Sequence, residues 1–288
     1  MAGPLVSVLL PVRNGARTLP AALASLRGQT FADFEVLLLD DGSDDGSAAL
    51  AIALGDPRIR VLCDGVRRGL AARLNEGVRQ ARGSFIARMD ADDLCFPERL
   101  ERQLRFLQQH PEVDLAGCRA VVFRDGDGGL IGLLQPPASH EALTRRPWNH
   151  IPLPHPSWMG RRAWFERNPY RHPEVLRAED QEVLLRALPS SRYACLPDVL
   201  LGYRQGPFQL GRTLRARRSL LAAQAGLFAR RRQWAWLALA AAVSLAKVAV
   251  DLVAVLPGAQ QAFFLRMRAE VPAEVERQLR AGLAGGPA

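Results

Sequence analysis

The stretch RMDADDLCFPERLERQ, Arg88 to Gln103, places Asp90, Asp92 and Asp93 within four residues, directly before a proline and an amphipathic run. One or two carboxylates in front of a helix favour its dipole; three crowd one another unless a cation offsets them. Hard carboxylate oxygens at alternate positions suit Mg2+ or Mn2+, which keep coordination sites for water and substrate phosphates. A second acidic cluster lies in LLLDDGSDDGS, where Asp40 and Asp41 precede Gly42 and Ser43, a turn-and-cap sequence in which Ser43 can start a helix. A third, AEDQEVLLRA, opens a helix with Glu179 and Asp180. The helix dipole alone accounts for such a pair.

These clusters need elements to hold them, and the first hundred residues supply a β-α-β-α rhythm. Strands are expected at LVSVLLPV (5–12), FEVLLLDD (34–41), RIRVLC (58–63) and SFIARMD (84–90), with helices through TLPAALASL, SAALAIAL, LAARLNEGVRQA and PERLERQLRFLQQH. That alternation implies an α/β fold with a mostly parallel, Rossmann-like sheet flanked by helices on both faces. Ligands of such sheets bind beyond the carboxyl ends of the strands, which is where PVRNG, DDGSDDGS and DADD fall. After Pro111 the pattern changes to strands at VDLAGCRAVVFRD, GLIGLLQ and YACLPDVLLGYR around the helix AEDQEVLLRAL.

With 288 residues, 48% of them hydrophobic, the chain can bury a sizeable core, a composition that disfavours extended disorder. Cys63, Cys95, Cys118 and Cys195 are scattered with no close pair, so they read as core thiols in a reducing cytosol rather than as a zinc site or disulfide framework. MAGPLVSVLLPVRNG has no basic n-region and its apolar run is broken by Pro11 and Arg13, which disfavours export.

Charge is unevenly placed. From Arg204 onward there are 13 basic and 4 acidic residues, which accounts for the entire net charge of +9. A basic tail on a neutral domain points to an anionic surface, membrane or nucleic acid. Nucleic acid is disfavoured because no aromatics are interleaved with the arginines and no binding motif is present. Leu214 onward reads as helical and basic, followed by Trp234 to Leu256, 23 residues of apolar helix interrupted by Lys247 and Asp251. Those two charges cost roughly 5 to 7 kcal/mol at bilayer depth, against about 3 to 6 returned by ten Leu and Val residues. Ser244, Lys247 and Asp251 form one polar stripe. An in-plane membrane helix, packing on the domain or a partner, and a true span remain open, with Pro257 and Gly258 ending the helix.

The ordered set PVRNG, LLLDDGSDDGS, RRGLAARLNEGVRQARGSFIARMDADD, FPERLERQLRFLQQHPEVDLAG, HPSWMGRR, AEDQEVLLRA and LPDVLLGYR resembles the family 2 glycosyltransferases over about residues 4 to 204. The resemblance implies a GT-A fold in residues 1–204, a basic, apolar helical extension over 205–288, and inverting sugar transfer from a nucleotide sugar, most often UDP-linked, to an acceptor hydroxyl. It implies that Asp41 accepts from the nucleobase and that backbone around Pro11 and Arg13 lines the nucleoside site. It also implies that Asp90 and Asp92 form the D-x-D motif, Asp90 serving the ribose or metal-bound water and Asp92 a Mn2+ or Mg2+ ion, with Asp93 a further ligand. Asp180 matches the general base, with Glu179 as fallback. Arg68 or Arg73 would assist the phosphates, or be exposed helix arginines. His155 is either a loop histidine or close to the acceptor; Trp158 is either core or a sugar-stacking platform.

Family members of this kind act in the cytoplasm, at the inner face of the cell membrane, on saccharide or lipid-linked acceptors of polysaccharide and glycolipid synthesis. One departure stands out: many relatives carry a histidine shortly after the YR that ends the region, whereas here YRQGPFQ follows and the last histidine is His172. A catalytically silent, nucleotide-sugar-binding subunit of a glycan-assembly complex is therefore the alternative.

Overall fold

A computed structural model describes residues 3–173, 175, 177–255 and 270–285. Strand β1 (Val6–Val12) is the axis of the first half, with β2 (Phe34–Asp40) on one side and β4 (Phe85–Arg88) on the other, both parallel to it; β3 (Ile59–Cys63) extends the sheet beyond β2. β1 and β2 are almost entirely buried, as continuous Val/Leu runs require when both sheet faces are covered. The register pairs Val12 with Asp40, Asp40 with Cys63 and Leu9 with Arg88, so the carboxyl ends of these strands share one edge.

Helices α1 (Leu19–Arg27), α2 (Ser47–Ala53), α3 (Leu70–Gln80) and α4 (Arg99–Gln109) fill the crossovers. Leu23 and Leu26 of α1 pack with Leu100, Leu104 and Leu107 of α4 in one core layer. Leu74 and Val78 of α3 join Leu9 and Leu39 in the other. α3 lies so close to the sheet that a Cβ on Gly77 would stand 2.8 Å from Leu39 Cδ1 and 2.9 Å from Leu9 Cδ2. Ser43 does not start α2: that helix opens at Ser47 after Gly46, and the Ser43 hydroxyl instead accepts from Asn14 N at 3.0 Å.

The second half is mixed. β6 (Leu115–Arg124) runs parallel to the long β9 (Tyr193–Gln205) and antiparallel to β7 (Leu130–Leu134) and β8 (Met159–Arg161); β8 in turn pairs antiparallel with β4 and fuses the two halves into one sheet. Two residues of β5 (Leu94–Cys95), immediately after the aspartate cluster, hook onto β9 through Leu94 and Gly202. Helices α5 (His140–Leu143), α6 (Arg162–Arg167) and α7 (Glu179–Ala187) complete this part. Among the four cysteines the core reading holds for Cys95, Cys118 and Cys195. Cys63, at the open end of β3, is exposed and its thiol donates to Asp40 Oδ2 at 3.2 Å.

Beyond β9, α8 (Leu210–Arg230) and α9 (Trp234–Val253) pack on each other, and α10 (Ala273–Leu283) returns Leu279 to a small core with Leu94, Phe96 and Phe123. Gln224 on α8 donates to the carbonyls of Pro147 at 3.1 Å and Trp148 at 2.9 Å. The ring of Trp236 on α9 lies 6.0 Å from that of Trp148. α9 is long and apolar enough by length and composition to cross a membrane. The expected helix end at Pro257 and Gly258 lies outside the described residues.

Candidate active site

Strand β4 ends at Arg88, and the turn that follows brings one carboxylate oxygen each from Asp90, Asp92 and Asp93 within 4.8 Å of one another. Few donors meet them. Arg88, only 3% exposed, places Nη2 2.6 Å from Asp90 Oδ1. The Arg204 amide donates to Asp93 Oδ1 at 2.8 Å, while the Arg204 side chain spends Nε on the Asp92 carbonyl at 2.7 Å. The buried Asp93 Oδ2 has no hydrogen-bond partner among the described residues.

The electrostatic result is an excess of negative charge. Burial, then the Asp90 charge, pushes the Asp92 carboxyl up to about 6 even though part of that side chain reaches solvent. Burial, then Asp90 and Asp92, holds Asp93 well above the usual carboxylate range. Hard oxygen ligands, like charges and an orphaned buried oxygen fit a divalent cation of the Mg2+ or Mn2+ type.

Asp41, one position past β2, is handled differently. Its Oδ1 accepts from the amides of Arg68 at 2.6 Å and Gly69 at 2.9 Å and from Arg73 Nε at 3.3 Å. Arg73 is not an exposed helix arginine. It is 1% exposed and its guanidinium is committed to Asp41, Asp64, Glu76 and the Val66 carbonyl, so it holds the Asp41 loop in place. The Arg68 side chain pairs with Asp64 at 2.6 Å.

Between the β1 end and the aspartates lies an open cleft of about 290 Å³, lined by residues that include Pro11, Arg13, Arg17, Asp90, Asp92 and Asp125. The loop after β1 is laced to the loop after β2: the amides of Asn14, Gly15 and Ala16 donate to Ser43, Ser47 and Asp45. Arg17 and Arg204 converge on Asp125, at 2.7 and 3.2 Å, which joins the cleft wall to the end of β6.

Glu179 and Asp180 sit half-buried in the first turn of α7, which follows Ala178 in the left-handed region at φ 57°. Burial, then the Asp180 charge, pushes Glu179 up to about 6, and burial raises Asp180 as well. Gln181 donates to Asp180 Oδ2 at 3.3 Å and clamps Ile151 by both backbone groups. Arg88 is the cation that acts on both acidic groups, lowering Asp92, Asp93, Glu179 and Asp180 alike. Its buried Nε and Nη1 have no partner among the described residues.

Trp158 is core, not a platform. It is 0% exposed, its indole donates to the Leu153 carbonyl at 3.1 Å, and Trp164 meets it edge-on, so no face is open to a sugar. His155 is buried beside it with Nε2 2.8 Å from the Tyr170 hydroxyl. Burial, reinforced by Arg88, holds the imidazole well below its ordinary value and therefore neutral. Sequence reasoning missed Arg88, Tyr170, Gln181, Arg204, Arg17 and Asp125. Arg88, Gln181 and Arg204 stand in or beside recognised motifs but carry no signal of their own, and Arg17, Asp125 and Tyr170 lie outside any motif that marks the site.

Comparison with known proteins places this geometry in context. A family model described as Glycosyl transferase family 2 matches residues 7–168. The amylovoran biosynthesis glycosyltransferase AmsE of Erwinia amylovora is 30% identical over 213 residues, covering 70% of this chain and 77% of that protein. EpsE of Bacillus subtilis is 39% identical over 124 residues, 42% of this chain and 45% of that protein. The Escherichia coli UDP-Glc:alpha-D-GlcNAc-diphosphoundecaprenol beta-1,3-glucosyltransferase WfgD is 34% identical over 103 residues, 36% of this chain and 41% of that protein. Over these last two the chain spans less than half of the relative's length. Among solved structures, S. aureus TarS 1-349 in complex with UDP-GlcNAc superposes with a TM-score of 0.66 at 19% identity, covering 97% of this chain and 87% of that one. The mannosyltransferase PcManGT of Pyrobaculum calidifontis, in complex with GDP-Man and Mn2+, gives 0.59 at 21%, covering 98% and 86%. These two share the fold.

Proposed function

The chain belongs to glycosyltransferase family 2, and on that premise we propose that it is an inverting, divalent-cation-dependent hexosyltransferase. It moves a sugar from a nucleotide-sugar donor, UDP-linked by preference, to an acceptor hydroxyl in the synthesis of a cell-surface polysaccharide or glycolipid. It works on a saccharide or lipid-linked acceptor in the cytoplasm, against the inner face of the cell membrane, with residues 1–204 carrying the chemistry and 205–288 the surface contact. The observation that carries the reading is an acid-rich, donor-poor aspartate triad at the cleft, together with a second carboxylate pair on α7 whose acids also feel the charge of the buried Arg88. The donor class is supported by the nucleotide sugars held by two proteins of the same fold, and the polysaccharide role by the names of AmsE and WfgD.

In this reading Pro11, Arg13 and Asp41 receive the nucleoside, Asp41 through Oδ2, because its Oδ1 is already filled by three donors. Arg68 and Arg73 hold that loop beneath the diphosphate. Asp92 and Asp90, with Asp93 behind them, hold Mn2+ or Mg2+, which when bound offsets the charge that builds on the departing diphosphate. Asp180 takes the proton of the acceptor hydroxyl as its oxygen bonds to the anomeric carbon. The bond from that carbon to the diphosphate breaks, its electron pair leaves with the nucleoside diphosphate, and in-line attack inverts the centre. Gln181 favours the ionised form of Asp180, which marks it as the base over Glu179. His155, neutral and bonded to Tyr170, supports the acceptor side from beneath.

The test is Asp180→Asn. Transfer is expected to fall by about 10²–10⁴-fold while calorimetric binding of UDP-sugar is retained; loss of both would make Asp180 structural. A thermal-shift panel of nucleotide sugars with and without Mn2+ identifies the donor. No shift with any of them would defeat the reading, and a shift without slow donor hydrolysis would leave a silent binding subunit.

A further inference from the structure

Helix α9 is inside out. Its polar residues face the protein: Asp251 is fully buried against the Arg217 guanidinium, whose Nη2 donates to Oδ1 at 2.8 Å, and Lys247 Nζ donates to the Asn149 carbonyl at 3.3 Å. Ser244 lines a small cavity with Trp148 and Gln224 on the same side. Its outer side is the reverse of what a helix on a water-soluble domain presents. Every exposed position from Ala235 to Val253 is alanine, leucine or valine, falling mostly at three- and four-residue steps, and Leu245 is 72% exposed. Trp234, 62% exposed, begins the helix one residue beyond the run Arg230, Arg231 and Arg232. On the companion helix Arg212, Arg215 and Arg218 are exposed at successive turns with no carboxylate partner among the described residues.

We infer that α9 docks in the plane of an anionic lipid bilayer, its outer stripe among the acyl chains and the exposed Arg212, Arg215, Arg218, Arg230 and Arg232 at the headgroups. A basic segment joined to an apolar helical stripe, with tryptophan at the junction, is the pattern of an interfacial helix. The two charges that weigh against α9 in hydrocarbon are both held on its protein side, Asp251 paired with Arg217 and Lys247 hydrogen-bonded to the Asn149 carbonyl, so they do not oppose shallow insertion. They do oppose a span, because spanning would carry the Arg217–Asp251 pair and the Asn149 segment into the bilayer core. A second copy is the poorer occupant, since pairing through α9 would bring together two segments that each carry the whole +9 of the chain. This inference goes beyond the transfer reaction and stands without it.

The experiment is sedimentation of the full chain with vesicles, without donor. Wild type is expected to pellet with equal parts phosphatidylglycerol and phosphatidylcholine, and at least about tenfold less with phosphatidylcholine alone. The double change Leu245→Glu, Val250→Glu alters exposed side chains. It should weaken binding to the mixed vesicles at least about tenfold while the thermal transition and donor hydrolysis stay unchanged. Undiminished vesicle binding by that variant, or no binding by wild type, overturns the inference. So does conversion of a dimer to a monomer with vesicle binding intact, which assigns the stripe to a second copy. Strongly alkaline carbonate should release the chain from membranes; retention in the pellet would mean a span and overturn the in-plane placement.

Discussion

Two carboxylate nodes stand at the ends of strands that flank β1 on opposite sides, and the protein treats them in opposite ways. At Asp41, after β2, one carboxylate oxygen receives two backbone amides and a buried arginine. At Asp90, Asp92 and Asp93, after β4, three carboxylates share one arginine side chain and one amide, and a buried oxygen is left with no donor. Residue type and topological position are the same; the supply of donors is not. A carboxylate whose charge is met from within the chain is scaffolding with a spare oxygen to offer a neutral donor. A cluster whose charge is unmet waits for a cation.

The sharpest way to break this contrast is to remove the internal cation of the first node. Arg73→Leu should cost about 3–5 kcal/mol in urea unfolding, because it strands the buried Asp41; a loss below about 1 kcal/mol would show that the node does not depend on it. At the second node the stability effect should have the opposite sign. Asp92→Asn is expected to cut cation-dependent donor turnover about 10²–10³-fold, yet leave the unfolding midpoint equal or higher, since it relieves repulsion. A variant as unstable as Arg73→Leu would erase the distinction.

Asp41→Asn should cost less than Arg73→Leu, about 1–3 kcal/mol, and weaken nucleotide-sugar binding without changing its cation dependence. The smallest effect is in the pH profile. Burial and the neighbouring Asp90 push the Asp92 carboxyl up to about 6 in the folded chain, against about 3.9 unfolded. Its stabilising contribution is therefore complete below about pH 4 and is lost as pH rises through 6. Because Asp92 is exposed, solvent screening reduces the effect: by calorimetry the cation-free protein should melt no more than about 2 °C lower at pH 7 than at pH 5, and Mn2+ should remove the difference.

Much of this was legible beforehand. The strands from β1 to β4 and the helices from α1 to α4 fall within a few residues of where buried Val/Leu runs and 3.6-residue spacing place them. β5, β8, α5 and α6 were not legible. They have two to six residues each, too few for a period to declare itself, and their partners lie in remote segments. The acids of the site were legible by type and spacing. Arg88 and Arg204 were not, and Trp158 was left open because a tryptophan beside a histidine reads the same whether it faces a ligand or a core.

What the sequence by itself determined is which residues share a face or a turn: three aspartates after one strand, two acids in one helical turn, a polar stripe along α9, and all of the excess charge in the last 85 residues. What only the tertiary structure decided is what each of those groups meets. It satisfied Asp41 and left Asp93 unmet, buried Trp158, and turned the polar stripe of α9 inward onto Arg217 and Asn149. The reason is physical. Spacing along a chain fixes local geometry, whereas the energy of a charge or an apolar surface depends on partners and solvent brought up by segments far away in sequence.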